Sequence, residues 1–543
     1  QAPMVSAPLL ELARWLADYY GCSFGEAIAA ALPFSVRNRK RLAFSPPPEK
    51  ILKKTPALSL YVIHDDEAGY EAIVSRMKET LAAGRGVLIL APDSDEAERL
   101  AEVIAPKVGG KIARLDTGAS KKYTQDWLAL KNGEVSCALG VRSAVFAPVN
   151  NLGLIVMTDE DHYGYKEDQT PYYHAREVVL KHSAIEGSDV IFSSAAPSVE
   201  LWHAIACSGG EVKTFFKKDM APLQIVDLAN YKPRKESALS FPVANEVGRT
   251  LEAGGKVLVF FNRRGFHTMV KCEGCGHVIK CPRCEVPLVY LYEEKIMSCP
   301  SCNFKQAGTS VCPECGDKNL NRYGEGIERI ESDLARFFPQ ARLATFDRTK
   351  KQLSKGWNII VATEAIVKHL NGMAIAATVV LDIDSELSRH DLRGHQKVLS
   401  LLLTLRKYTR EKIFVQTRQP SHPAIQAACS LELDRFYQQE LKSRQELEFP
   451  PFKHLIAVMI RGKKEGTTAA RADDFFKQLS EHPLAGFEVL PPQPDFRPKL
   501  RDQYRYIIMG KAFQVEVAVK HIRQLLAAMK RKSGVIVTLD VDA

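Results

Sequence analysis

Apolar residues recur along this chain with two different periods. Near the start, Leu9, Leu10, Leu12, Ala13, Leu16 and Ala17 fall at helical spacing, and a turn at Gly21 separates them from a second short helix predicted over residues 26–32. Residues 37–54 are basic and proline-rich, with Pro46-Pro47-Pro48, and read as a linker. Beyond it, short apolar runs at 87–90, 154–157 and 190–192 alternate with helical patterns such as 96–104, the rhythm of a parallel sheet covered by helices. A second series follows, with candidate strands at 257–261, 358–362, 378–383 and 412–416. Two α/β lobes are therefore predicted. After Phe449-Pro450-Pro451-Phe452 the pattern changes to strand, helix, strand, helix, strand ending at Val541, an α+β unit.

Length and composition narrow this picture. At 543 residues the chain exceeds one core, and a prior of about 150 residues per domain gives three to four units. Its 45% hydrophobic and 25% charged residues exclude a disordered or fibrous chain. The longest uncharged stretch, residues 143–158, contains Pro148 and two asparagines, so no membrane span of about 20 apolar residues is expected. The first residue is Gln1 rather than Met, which leaves room for a further segment upstream. Seventy-four Lys and Arg against sixty-four Asp and Glu give a net charge of +10, which favours a polyanionic partner without identifying it.

The cysteines say more. Eight of the twelve crowd between Cys272 and Cys315 as four Cys-x-x-Cys pairs: Cys272 with Cys275, Cys281 with Cys284, Cys299 with Cys302, and Cys312 with Cys315. Each pair can form a knuckle presenting two thiolates, and two knuckles close one tetrahedral site. Eight thiolates make two closed sites, so two structural zinc ions are expected, with iron–sulfur ligation as the lesser alternative. Spacing leaves open whether adjacent or nested pairs share a metal. With no secretory signal in view, the pairs point to a reducing cytoplasm. The cluster interrupts the second lobe just after its strand at 257–261, which marks it as an inserted module.

Several motifs resemble those of the PriA replication-restart helicase family, also called primosomal protein N′. They are Phe260-Phe261-Asn262-Arg263-Arg264-Gly265-Phe266, the eight cysteines, Tyr323-Gly324-Glu325-Gly326-Ile327-Glu328 and Phe338-Pro339. Gly140-Val141-Arg142-Ser143-Ala144-Val145-Phe146-Ala147-Pro148, Tyr172-Tyr173-His174-Ala175-Arg176 and the closing Leu539-Asp540-Val541-Asp542 belong with them. The resemblance implies two RecA-like helicase lobes with an inserted binuclear zinc-binding module, an N-terminal winged-helix-like piece and a C-terminal α+β domain. The corresponding boundaries are a partial winged-helix-like region at 1–36, a linker at 37–54 and lobe 1 at 55–210. Lobe 2 covers 211–270 and 318–448, the zinc module 271–317, and a DNA-binding-like domain 449–543. The likeness begins too late to include the family's domain for a DNA 3′ end. It also implies nested pairing, with Cys272, Cys275, Cys312 and Cys315 in one site and Cys281, Cys284, Cys299 and Cys302 in the other.

A motor of this kind needs a phosphate loop, whose glycine amides cradle phosphates and whose Gly-Lys-Thr supplies a cation and a magnesium-bound hydroxyl. The corresponding stretch reads Val62-Ile63-His64-Asp65-Asp66-Glu67-Ala68-Gly69-Tyr70-Glu71, with Gly69 at the lysine position and three acids where phosphates belong. Carboxylates there repel a triphosphate. The magnesium-binding acids survive as Asp159 and Glu160 in Asp159-Glu160-Asp161-His162. The family's Gly-Ser-Ala-Thr-Pro becomes Ser193-Ser194-Ala195-Ala196-Pro197, its Gly-Thr-Gln becomes Ala362-Thr363-Glu364, and its arginine box is shortened around residues 402–409. There Arg406 is a displaced finger or, more plainly, a solvated helix arginine. These losses count against ATP and magnesium and make an active ATPase improbable.

What remains points to DNA. Tyr163, Tyr165, Lys166, Tyr172, Tyr173, His174 and Arg176 interleave rings with cations, as in the family's aromatic-rich loop, and rings stack on unpaired bases while cations meet phosphates. Arg142, Arg263 and Arg264 suit phosphate contacts from loops, and Arg497, Lys499, Arg501 and Arg505 resemble the family's C-terminal DNA-contacting region. The expected role is a replication-restart protein that binds forked or branched DNA at single-strand/duplex junctions and recruits replication-restart and helicase-loading proteins and single-stranded DNA-binding protein. It would act in the bacterial cytoplasm at the nucleoid. The competing readings are an active ATP-dependent 3′-to-5′ helicase and a zinc-ribbon RNA-binding protein.

Overall fold

The computed structural model describes residues 5–33, 55–116, 120–217, 219–231, 238–261, 269–272, 274–291, 296–299, 302, 304–323, 327–347, 353, 356–388, 391–529 and 534–542. The predicted linker at 37–54, and with it Arg263 and Arg264, lies outside them. The chain divides into two compact units: Gln1–Phe216 with Glu440–Gln493 and Tyr506–Ala543, and Lys217–Gln439 with Pro494–Arg505.

In the first unit, helix Ala7–Tyr20 buries the apolar face formed by Leu9, Leu12, Ala13 and Leu16 and stops at Gly21, in the left-handed conformation at φ 67°. Glycine suits this conformation, and a Cβ there would stand 2.5 Å from Leu539 Cδ1 and 3.0 Å from Val519 Cγ1. Helix Phe24–Ala31 starts with a capping box between Ser23 and Glu26. Both predicted helices are thus present. No β-wing accompanies them among the described residues of the stretch read as winged-helix-like.

The first lobe is a seven-stranded, wholly parallel sheet in the order Ile112–Leu115, Cys137–Gly140, Gly86–Leu90, Leu152–Met157, Asp189–Ser194, Leu58–Ile63 and Glu211–Phe215. Its central strands are buried on both faces, as parallel strands under helices must be. Helix Asp66–Ala82 packs Ile73, Val74 and Met77 against the sheet, and helix Ser94–Val108 packs Ala97, Leu100 and Ile104. Strand Glu211–Phe215 pairs with Leu58–Ile63, so this lobe runs to Phe216 and not to residue 210.

The terminal domain of this unit joins strands His454–Gly462, Phe487–Val489, Gln503–Ala512 and Val535–Val541, with Gln493–Leu500 as a hairpin partner of Gln503–Ala512. Helices Glu465–Glu481 and Val515–Ala528 cover it. The expected strand, helix, strand, helix, strand pattern therefore gains a hairpin between its two helices.

The second unit is built on a six-stranded parallel sheet, in the order Leu343–Phe346, Ile359–Ala362, Lys256–Phe261, Ile375–Leu381, Thr409–Thr417 and Leu223–Asp227. The strand expected at 378–383 ends at Leu381; Asp382 turns the chain at φ 58° and Ile383 opens a short helix. Arg406 lies on helix Gly394–Tyr408, but it is neither solvated nor a free finger. It is buried and donates to the carbonyls of Ala221, Ala428 and Cys429. The cysteine module leaves this sheet after Lys256–Phe261, as the sequence indicates, and forms five short antiparallel strands of its own. No helix among the described residues is long and apolar enough to cross a membrane.

The last strand of the first unit is fastened by His454, whose Nδ1 lies 2.7 Å from the Asp542 carboxylate, while Asp542 also accepts from the Leu455 amide at 2.9 Å. Burial alone lowers the His454 pKa, yet Asp542, joined by Glu177 and Glu516, reverses the sign and raises it. The protonated form is therefore favoured in the folded state. Its contribution is complete below about pH 6.5 and is lost as pH rises through the raised value. Thermal unfolding from pH 5.5 to 8.5 should show the midpoint falling with pH in the wild type and a flatter profile in His454→Ala. Equal slopes would show that this pair does not contribute.

Candidate functional site

In a nucleotide-binding α/β lobe the working position is the helix N-terminus after the first strand, where free amides and the helix dipole meet a phosphate. Here strand Leu58–Ile63 is joined to helix Asp66–Ala82 by only His64 and Asp65. Both linking amides donate to the carbonyl of Phe215, at 2.9 and 3.0 Å, so they point into the sheet edge. The Asp65 carboxylate then turns onto the helix and accepts from the amides of Glu67 and Ala68, at 3.1 and 3.3 Å. The amides that would cradle an anion already hold one, and Asp66 and Glu67 add two more negative charges in the first turn. Gly69, at the lysine position, is buried in the helix, and a Cβ built on it would stand 2.7 Å from Ile63 Cγ2. A lysine has no room there without moving Ile63.

The acid box faces the same economy of charge. Asp159 adopts φ 45° at the end of strand Leu152–Met157, and Glu160 is wholly buried. One Glu160 oxygen accepts from the Ser198 amide at 2.5 Å; the other accepts from Ser198 Oγ at 2.9 Å and lies 3.4 Å from Arg176 Nη1. Burial pushes Glu160 up to about 7, against the pull of Arg176 and the Ser198 hydrogen bonds, with Asp161 adding to the rise. Ser194 Oγ donates to Asp161 at 2.6 Å and accepts from the Ala196 amide, so the altered 193–197 segment is bonded to the acid box. The cation beside Glu160 is thus the chain's own guanidinium.

The aromatic loop is mostly internal, which corrects several expected DNA contacts. Tyr165 is 0% exposed, with its hydroxyl donating to the carbonyls of Leu90 and Thr158, and Tyr173 is buried against Phe146. Neither ring offers a face to a base. Arg176 is buried with Glu160, Glu177 and Ser198. Arg142 braces the loop from inside, donating to the carbonyls of Gly164 and Lys166 and pairing with Glu167 at 2.9 Å. Lys166 pairs with Asp540 and bonds the Val541 carbonyl, both at 2.7 Å, which gives the closing Leu539-Asp540-Val541-Asp542 a structural part. His174 caps helix Ala175–Glu186 through Nδ1, and its amide donates to the Tyr20 hydroxyl. Tyr172 is half-buried. Tyr163, stacked on His162, is 74% exposed and is the ring this loop presents outward.

In the second unit the eight module cysteines fall into two clusters, Cys272 with Cys275, Cys312 and Cys315, and Cys281 with Cys284, Cys299 and Cys302, each with its sulfurs within 4.8 Å of one another. The nested pairing is the one present. Cross-knuckle separations are 3.6 Å for Cys272–Cys315, 3.7 Å for Cys275–Cys312 and 3.7 Å for Cys281–Cys302. A tetrahedron with metal–sulfur bonds of 2.3 Å has edges of about 3.8 Å, whereas a disulfide needs about 2.05 Å. The clusters therefore fit a metal ion each. Three of the four knuckles share one backbone design: the carbonyls of Cys272, Cys281 and Cys312 accept from the amides of Gly276, Glu285 and Gly316. These three residues take positive φ, of 73°, 56° and 75°, so Glu285 occupies a position suited to glycine.

Of the C-terminal candidates, Arg501 is exposed, Arg505 pairs with Asp495 at 2.8 Å, and Lys499 pairs with Glu285 at 2.9 Å. Phe496, next to Arg497 in the chain and 95% exposed, belongs to none of the motifs above. Its signal was a phenylalanine in a strand otherwise made of polar, proline and basic residues.

Comparison with known proteins adds the following. Residues 445–543 match the family model for the primosomal protein N C-terminal domain, and residues 1–33 match that for the 3′ DNA-binding domain. The second match corrects the expectation that the likeness begins beyond that domain. The replication restart protein PriA of Treponema pallidum is 28% identical over 575 residues, covering 98% of this chain and 87% of that protein. Its counterpart in Chlamydia pneumoniae is 30% identical over 500 residues, covering 87% of this chain and 67% of that protein. The Bacillus subtilis protein is 26% identical over 540 residues, with 94% and 67% covered.

Two outcomes check this geometry. Arg176→Ala removes the counter-ion of a carboxyl already pushed up to about 7, so Glu160 takes up a proton, and the stability lost in urea unfolding should be larger at pH 8.5 than at pH 6, with no such pH dependence of the same change made in Glu160→Gln; equal losses at both pH values would mean that the pair is not coupled. Metal analysis should give two ions per chain, and Cys281→Ser should lose one while the other cluster keeps its own. Loss of both, or of neither, would contradict two separate nested sites.

Proposed function

The chain belongs to the PriA replication-restart family, and from that premise we propose that it binds forked or branched DNA and helps reload the replication machinery without ATP-driven unwinding. The observation that carries the motorless reading is the Asp65 carboxylate bonded to the Glu67 and Ala68 amides. A triphosphate would have to displace that carboxylate, find no cation at Gly69, and enter among three acids. At the acid box, a magnesium ion would compete with Arg176 for Glu160.

Soft thiolate donors in closed tetrahedral sets suit zinc, so each cluster would hold one structural zinc ion, a fold-stabilising ion with no open position for catalysis. DNA contact falls to groups that remain at the surface, such as Tyr163, Tyr172 and Arg501, to Arg263 and Arg264, and to residues 1–33 through their likeness to a 3′ DNA-binding domain. Partners would be replication-restart and helicase-loading proteins and single-stranded DNA-binding protein. The place of action would be the bacterial nucleoid.

Purified protein mixed with ATP and forked DNA should bind the fork, more weakly as salt rises, and release no phosphate above the protein-free rate. Fork-stimulated phosphate release would instead establish a working helicase.

A further inference from the structure

Within the second unit, residues Pro494–Arg505 are the tip of the hairpin between strands Gln493–Leu500 and Gln503–Ala512. Arg501 and Asp502 take φ of 50° and 61°, the left-handed pair of a tight two-residue turn. This turn is fastened to the knuckle of the second cysteine cluster. The Asp502 amide donates to the Arg283 carbonyl at 3.2 Å, and the Arg501 amide bonds to Cys284. Lys499 Nζ reaches Glu285 at 2.9 Å and the Pro282 carbonyl at 3.4 Å, and Leu500 packs against the module's apolar core.

A tip anchored at so many points holds the backbone that carries its remaining side chains in place. One of them is Phe496, which at 95% exposure is the most exposed large apolar side chain among the described residues. Arg497 beside it and Arg501 at the turn are also exposed, and Asp495, the nearest acid in sequence, is engaged by Arg505 at 2.8 Å. A single exposed apolar side chain is ordinary on a protein surface. An exposed ring on an anchored hairpin tip, with two exposed arginines within five residues of it in the chain, is different, since every unpaired base offers a π-face and every nucleotide a phosphate.

We propose that Phe496, with Arg497 and Arg501, forms a base-stacking platform for unpaired single-stranded nucleic acid, mounted on the second cysteine cluster. The proposal rests on the DNA-binding reading above and adds the residue that meets an unpaired base. Stacking is selective for unpaired strands, because the faces of a base inside a duplex are already covered. The arginines contribute phosphate contacts that duplex and single strand share.

The test compares wild type, Phe496→Ala and Phe496→Trp on a fork with an unpaired arm and on a blunt duplex of equal length. Phe496→Ala should bind the unpaired arm about five- to hundred-fold more weakly, with duplex affinity and thermal unfolding unchanged. Phe496→Trp should keep the affinity, and the fluorescence of the new indole should be quenched on the unpaired arm but not on the duplex. Wild-type binding to the fork with no loss in Phe496→Ala would overturn the platform and turn this surface over to a protein partner. Failure of the wild type to bind either DNA would sink the wider DNA-binding reading along with it.

Discussion

A helix that follows the first strand of a parallel sheet offers free amides to whatever anion lies at its N-terminus, and in this chain that anion is Asp65. The consequence spreads outward from two hydrogen bonds. Because the strand and helix are joined by two residues, no loop is left to wrap a phosphate. Because both joining amides are committed to Phe215, the turn is locked to the edge strand Glu211–Phe215. Gly69 then fits closely against Ile63, so even the space for a lysine has been filled. The lobe keeps the architecture of a nucleotide-binding domain while its electrostatic demand is met from within.

The acid box shows the same principle with opposite sign. A buried carboxylate is costly unless paired and hydrogen-bonded, and Glu160 finds Arg176, Ser198 Oγ and the Ser198 amide. The arginines that would serve as nucleic-acid contacts in a more open loop, Arg142 and Arg176, instead hold the loop and the box together. In the second unit the organising force is different. The five short strands of the cysteine module bury a small apolar core, beside which two sets of sulfurs placed to hold a metal ion each stand where a larger domain would have hydrophobic interior.

Much of this was legible in sequence, and the failures have physical causes. Buried parallel strands such as 87–90 and 154–157 announce themselves as continuous apolar runs, and Cys-x-x-Cys spacing prescribes knuckles. The nested pairing needed the family resemblance, since spacing alone allowed two solutions. The aromatic loop misled because tyrosine is amphipathic: Tyr165 is fully buried once its hydroxyl reaches two carbonyls, and its sequence context does not reveal that. Arg406 misled likewise, since three carbonyls at the ends of distant elements can be known only in the fold. Strand Glu211–Phe215 carries charged residues because it lies at a sheet edge, so its polar pattern hid its membership of the first lobe. The hairpin strand Gln493–Leu500, with two prolines and mostly exposed side chains, gave no alternation to read.

The central claim is that the nucleotide position is closed by the chain itself. Its most direct test is the thermal unfolding midpoint of the purified protein across a titration of a non-hydrolysable ATP analogue with magnesium. A ligand that binds the folded state stabilises it by about 2.7 kcal/mol at a hundred times its dissociation constant, so occupancy cannot escape notice. The account predicts a midpoint that does not move up to millimolar nucleotide. A saturable rise would show that the Asp65 cap yields to a phosphate and that the lobe retains a working nucleotide site.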